Sequence, residues 1–193
     1  MFLHLAVLGM GAVALPQNTA YTPEEIRYFL TDSGASVFFT AEGAPEALLS
    51  VVRGIEGLRV VEVPRGGLSV PEGPGDPRDF ATAPDDPAIL CYTSGTTGRS
   101  KGAVITHRNL VSNTEALHQV WRWREDDVLL HALPLYHVHG LCVALHGALF
   151  AGATALLHER FDPVRCWETI SREGVTVFMG VPTMYHRMMQ EWE

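Results

Sequence analysis

The stretch Tyr92–Gly102, YTSGTTGRSKG, holds three glycines, five aliphatic hydroxyls, one phenol and two cations in eleven residues. A flexible surface loop is one account of such a composition, and a cradle for phosphate is another. Glycines let several backbone N–H groups turn toward one anion, and hydroxyls add further donors. Lys101 adds a mobile charge. Ser94, Thr96, Thr97 and Lys101 are therefore suited to a polyphosphate. A Walker A loop does not fit, because Ser100 stands five residues after Gly95 and Gly102 follows Lys101. A Walker loop also opens a helix, whereas this stretch leads into an apolar run that reads as strand.

The runs on either side set the fold. AILCY (88–92) reads as a strand into the stretch, and AVIT (103–106) as a strand out of it. Ligand loops of α/β proteins sit in such places. Further out, apolar runs and helical patterns alternate. Residues 1–9 read as helix, Ala12–Leu15 as strand, and TPEEIRYFLTDSG as a helix with Thr22 as cap, Glu25 closing a capping box and Gly34 as stop. SVFFT, Pro45–Val52 and Leu58–Val63 continue as strand, helix and strand. Beyond the stretch, a helix starts near His107 with Thr106 as cap and Leu110, Thr114, Leu117 and Trp121 on one face. A strand over 128–133, a helix over 139–150 and a strand TALLH follow. Then come a helix capped by Asp162, a strand VTVFM, and a last helix opened by Pro182 that the end of the chain interrupts. This alternation predicts an α/β fold with largely parallel sheets. Residues 64–87 hold six of the twelve prolines and four glycines and read as a connecting loop. The expected division is 1–63, an α/β segment; 64–87, the loop; and 88–193, a second α/β segment.

Composition narrows the function. A formal charge of −8 and a pI near 5.5 argue against a nucleic-acid partner. They leave room for a small anion held by backbone dipoles and a few cations. Cys91, Cys142 and Cys166 form no CxxC pair, which fits a reducing, cytoplasmic setting. Five of nine histidines lie between His131 and His158, without a metal-ligand spacing. The apolar opening MFLHLAVLGMGAVAL lacks a basic flank and is too short to span a bilayer, so it reads as a buried helix running into a strand.

YTSGTTGRSKG resembles the phosphate-binding loop of the adenylate-forming superfamily of acyl-CoA synthetases, luciferases and adenylation domains, with Ser100 where the usual form has Pro. HALPLYHVHGL (131–141) resembles that family's acyl-pocket motif, and FMGVPTMYHRM (178–188) its pocket floor. GAVALPQNTAYTPEEIRYFLTDSGA resembles an earlier helix–strand region. GRSKG, HVHGL and GVPTMYHR together look most like the malonyl-CoA synthetase branch. The resemblance covers essentially the whole chain and implies part of the large domain of such an enzyme. It assigns Thr93, Ser94, Gly95, Thr96, Thr97, Gly98 and Lys101 to the ATP phosphates, with Thr97 beside the Mg²⁺ they carry. His137 becomes the aromatic gate between acyl pocket and adenylate. Arg187 becomes the partner of a distal carboxylate, for which a guanidinium fork is suited. On residue chemistry alone, a hydrogen-bonded loop histidine is the better account of His137, and a solvated arginine that of Arg187. His139 and His146 read as structural.

The implied reaction joins a small-molecule carboxylate to coenzyme A at the expense of ATP, through an acyl-adenylate. The Tyr-Gly-x-Thr-Glu motif of that family, its ribose Asp and its lysine-bearing C-terminal domain do not occur in these residues. The expectation is therefore an internal piece of a parent synthetase, with little ligase activity of its own. A non-catalytic nucleotide-binding or interaction module derived from such an enzyme, and an unrelated α/β phosphate-binding protein, are the alternatives.

Overall fold

The alternation is present in the computed structural model, which describes residues 1–64, 66–67, 82–93 and 99–192. The chain divides into two units whose segments alternate along the sequence. One comprises Met1–Pro16, Thr82–Cys91 and Val104–Glu193; the other comprises Gln17–Ala81 and Tyr92–Ala103. Most of the expected 64–87 loop lies outside the described residues.

The first helix, α1 (Phe2–Gly9), opens the larger unit. The expected strand at 12–15 is reduced to one parallel bridge, Ala14 to Ile89. Ala14 donates to the Ala88 carbonyl and accepts from Leu90, but Gly11 turns the chain just before it (φ +69°). Pro16 has no N–H with which to extend the ladder.

The smaller unit contains α2 (Pro23–Ser33), β1 (Val37–Ala41), α3 (Glu46–Arg53) and β2 (Arg59–Val63). The capping box at Thr22 and Glu25 is formed as the sequence predicts, and Gly34 ends α2 in the left-handed region (φ +66°). The apolar face of α2 buries Ile26, Phe29 and Leu30. β1 and β2 pair in parallel from Val37–Arg59 to Ala41–Val63. Phe38, Leu49 and Val52 complete the interior of this unit.

β3 (Pro87–Thr93) and β4 (Lys101–Thr106) form a two-stranded sheet. α4 (His107–Trp121) begins at a second capping box, Thr106 with Asn109, and β5 (Val128–His131) follows. The expected helix over 139–150 is two structures: a π-helical segment, His139–Leu145, running into α5 (His146–Phe150). Next come β6 (Thr154–Leu157), α6 (Pro163–Arg172), β7 (Val177–Phe178) and α7 (Pro182–Gln190). Asp162 caps α6 by accepting from the Arg165 N–H. α7 ends at Gln190, where the N–H of its C-cap Glu191 reaches the Met188 and Met189 carbonyls.

β5 is the central strand of a parallel sheet ordered β6–β5–β7. Leu129 and Leu130 are fully buried there, with Trp123, Ala144, Ala148, Cys166, Met184 and Met188 around them. A second cluster joins Ala88 and Ile89 of β3 to Leu110, Leu141, Cys142 and Leu145. Among the described residues, no helix is long and apolar enough to cross a membrane.

A histidine pair ties α1 to α5. His4 Nε2 lies 3.0 Å from His146 Nε2, with the rings stacked at 5.3 Å. Burial, followed by the charge of His146, pushes His4 down to about 4, and burial also lowers His146. Both rings are therefore neutral in the fold near neutral pH. Unfolded histidine takes up its proton near pH 6.5. The neutral pair stabilises the fold fully above that pH, and the contribution is lost as pH falls from about 6.5 toward 4. His4→Phe should remove on the order of 1 kcal/mol of this acid sensitivity, a figure reduced for solvent on the open side of the ring. Melting temperatures of the two proteins at pH 7.5 and pH 4.5 check it; parallel losses in both would contradict it.

Candidate functional site

Helix α2 grips both rims of the glycine-rich stretch. On the incoming side, Tyr92 donates its hydroxyl to Asp32 Oδ2 at 2.6 Å, and its ring packs on Phe29 at 4.6 Å between centroids. Burial, together with the Asp32 carboxylate, raises the Tyr92 phenol and keeps it protonated as a donor. On the outgoing side, Tyr28 donates to the Ser100 carbonyl at 2.9 Å, and the Arg99 guanidinium lies over the Tyr28 ring at 5.8 Å. Asp32 stands one helical turn after Tyr28, and Phe29 lies beside them on the buried side of the helix. Thr93 Oγ1 reaches the Lys101 carbonyl at 3.5 Å, a weak closing contact. The Lys101 side chain is exposed, and the ion pairs among the described residues do not involve it. Ser94, Gly95, Thr96, Thr97 and Gly98 lie outside the described residues.

The Tyr28 contact has a measurable consequence. Trypsin cuts after Arg99 and Lys101, on the rim that the Tyr28 hydroxyl holds. Tyr28→Phe removes one hydrogen bond worth about 1 kcal/mol, so cleavage there should speed up about fivefold under limiting protease. An unchanged rate would mean that the hydroxyl does not restrain the rim.

The other two motifs meet in the larger unit. A cleft of about 350 Å³ is lined by Trp121, Trp123, Asp127, His139, Val177, Phe178, Met179, Gly180 and Tyr185. His139 comes from HVHGL, and Phe178–Gly180 with Tyr185 from FMGVPTMYHR. Trp121 and Trp123 form a wall that the motifs did not predict; the sequence signal for it is the WRW spacing at the end of α4. Tyr185 holds its own side of the cleft, accepting from the Gly180 N–H at 3.1 Å and donating to the Phe178 carbonyl at 3.3 Å. Asp127 is already engaged, taking the Thr176 hydroxyl and the Arg124 N–H, each at 2.8 Å. These bonds hold its carboxyl below the ordinary range, so it stays ionised.

The loop from β5 to the π-helical segment is closed at its base. His131 is 3% exposed, and its Nε2 lies 2.8 Å from the Gly140 carbonyl oxygen. Gly140 sits so tightly that a Cβ there would collide with the Pro134 carbonyl oxygen and press on Leu133 Cβ. The Pro134 carbonyl also accepts from the His137 N–H at 3.3 Å, and the His137 carbonyl from Leu141 at 2.9 Å. His137 itself is exposed, with its ring against Tyr136 at 4.6 Å. The cleft is thus lined by His139 and not by His137. Arg187 is exposed in the last turn of α7, its guanidinium 5.2 Å from the Phe161 ring and outside the cleft lining. Among the described residues, no three His, Cys, Asp or Glu side chains gather as a metal-ligand set.

Known proteins resemble this chain along nearly its whole length. The AMP-binding enzyme family model matches residues 1–193. The mitochondrial malonate–CoA ligase ACSF3 of Homo sapiens is 35% identical over 200 residues, covering 95% of this chain and 32% of that protein. A feruloyl-CoA synthase of Amycolatopsis sp is 37% identical over 175 residues, covering 91% of this chain and 34% of that one. The crystal structure of ATP-bound MatB from Rhodopseudomonas palustris superposes with a TM-score of 0.86 at 39% identity, covering 97% of this chain and 38% of MatB. The chain spans about a third of the length of the curated relatives it matches.

Proposed function

The chain belongs to the AMP-binding enzyme family, and from that membership we propose that it forms part of a ligase that activates a carboxylic acid with ATP and transfers the acyl group to coenzyme A. The acid of this reading is malonate or a close dicarboxylate. The observation that carries the reading is the cleft, whose walls come from the two segments that resemble acyl-pocket motifs, His139 on one side and Phe178–Gly180 with Tyr185 on the other.

In the first step a carboxylate oxygen bonds to the α-phosphorus of ATP, and the bond to pyrophosphate breaks. No general base is required, because the acid is already ionised near neutral pH. Backbone and hydroxyl donors of Thr93–Gly98, with Lys101, would hold the phosphates and orient the leaving pyrophosphate. In the second step the coenzyme A sulfur bonds to the acyl carbon, the bond from that carbon to the phosphate oxygen breaks, AMP departs and the thiol proton passes to solvent. Magnesium, when bound, supplies charge neutralisation to the phosphates; in this reading it arrives with ATP, beside the Thr97 hydroxyl. His137 closes the acyl side as an aromatic gate. Arg187 answers the second carboxylate of a dicarboxylic acid once its exposed side chain swings off Phe161. A cytoplasmic setting without a nucleic-acid partner completes the reading, supported by the three free thiols and the acidic charge.

Thioester formation by the ligase that contains these residues, with ATP, coenzyme A and each of malonate, methylmalonate, succinate and ferulate, tests this. Malonate should react fastest, ahead of its one-carbon neighbours by about tenfold or more. Ferulate leading would remove the dicarboxylate assignment, and no thioester from any acid would remove the ligase.

A further inference from the structure

The histidine buried at the end of β5 belongs to none of the roles above. Its surroundings are specific. β5 ends at His131, where the strand carbonyl accepts from the His158 N–H of the neighbouring chain segment. The ring then turns into the interior, and Nε2 meets the Gly140 carbonyl nine residues later. A carbonyl only accepts, so Nε2 carries the proton. The bond closes the loop that contains Pro134, Tyr136, His137 and His139. Gly140, on the far side of the bond, has no side chain because the Pro134 carbonyl occupies that space. The π-helical segment starts at His139, one residue before the bond. Local π geometry of this kind often marks a position fixed for function.

We propose that His131 is a positioning residue for the acyl cleft: its imidazole, donating to the Gly140 carbonyl, fixes the loop that presents His137 and His139. The proposal rests on the reading of the cleft as an acyl site. His131 does not touch the cleft, and its effect passes through the backbone. A buried hydrogen bond suits this task because water does not reach either partner, so nothing replaces the donor when it is lost. An apolar residue of similar volume would fill the interior without directing the loop.

Histidine-edited nitrogen NMR of the wild-type protein gives the first test. The His131 ring should be the Nε2–H tautomer with a slowly exchanging proton; an Nδ1–H tautomer would overturn the proposal. The second test compares His131→Leu with His131→Gln, whose terminal amide can reach the same carbonyl. The ring signals of His137 and His139 should both move in H131L and return in H131Q. A role limited to filling space would leave them unmoved in H131L, and failure of H131Q to restore them would overturn the proposal. If H131L does not fold, H131Q alone decides, with wild-type signals expected and displaced ones contradicting. In turnover, H131L should raise KM for the carboxylic acid about tenfold, the equivalent of one net hydrogen bond, while KM for ATP stays put. H131Q should stay close to wild type, and equal losses for acid and ATP would indicate general damage and overturn the role. Should the wild-type protein activate no carboxylic acid, the ligase reading falls, while the ring signals still decide whether His131 positions the loop.

Discussion

Gly140→Ala should be among the most damaging single-methyl changes in this protein. The added carbon would meet the Pro134 carbonyl oxygen, the Pro134 carbonyl carbon at 3.1 Å and Leu133 Cβ at 3.2 Å. None of these is the free end of a side chain that could swing aside. The backbone must move, and with it the His131 bond and the start of the π-helical segment. Overpacking of this kind costs about 1–3 kcal/mol, and more where backbone is displaced. We expect a destabilisation near the upper end of that range and loss of ligand binding in the cleft. Gly147→Ala is the informative companion, because the nearest atoms to its Cβ are those of the Trp123 ring edge, 3.3 Å away at Nε1. Urea unfolding of both variants checks the contrast. A Gly140→Ala protein as stable as wild type, with an unaltered cleft, would show that the loop is not packed against Gly140 as described.

Leu130→Ala should lower stability further still. Leu130 is fully buried on the central strand, where its register partners are Leu156 on β6 and Phe178 on β7. Truncation there removes apolar burial and leaves a cavity in the middle of a sheet that cannot collapse from either side. Such changes cost about 2–5 kcal/mol, against a total stability of about 5–15 kcal/mol. For a chain of this length the melting temperature should fall by on the order of 10 °C. Val120, at 73% exposed on α4, provides the control: Val120→Ala should stay within about 0.5 kcal/mol. Comparable losses at both positions would contradict the assignment of β5 as the core strand.

Local chemistry was the readable part of the sequence. Thr22 with Glu25, Asp162 with Pro163, and Gly34 at the end of α2 are determined by neighbours three or four residues away, and the structure contains all of them. The parallel sheet followed from apolar runs separated by helices. The features that were missed depend on distant residues. A run of small apolar side chains over 139–150 gives no sign that its first half is π-helical, nor that Gly140 packs under the Pro134 carbonyl. His139 read as structural until Phe178, Tyr185 and the tryptophans of α4 were brought beside it. Likewise, Tyr28 and Asp32 looked like ordinary positions on an amphipathic helix, and only their contacts with Ser100 and Tyr92 connect them to the phosphate stretch.

The central claim is that these residues serve the activation of a carboxylate by ATP. Its most direct test is exchange of labelled pyrophosphate into ATP, measured with and without malonate on the ligase of which these residues form part and on its Lys101→Met variant. The first step is reversible, so a carboxylate-activating enzyme returns label to ATP only when its acid is present. We predict malonate-dependent exchange in the wild type and a loss of about tenfold or more in the variant, the effect of removing one charged contact to phosphate. Exchange that ignores malonate, or that survives Lys101→Met undiminished, would contradict the account.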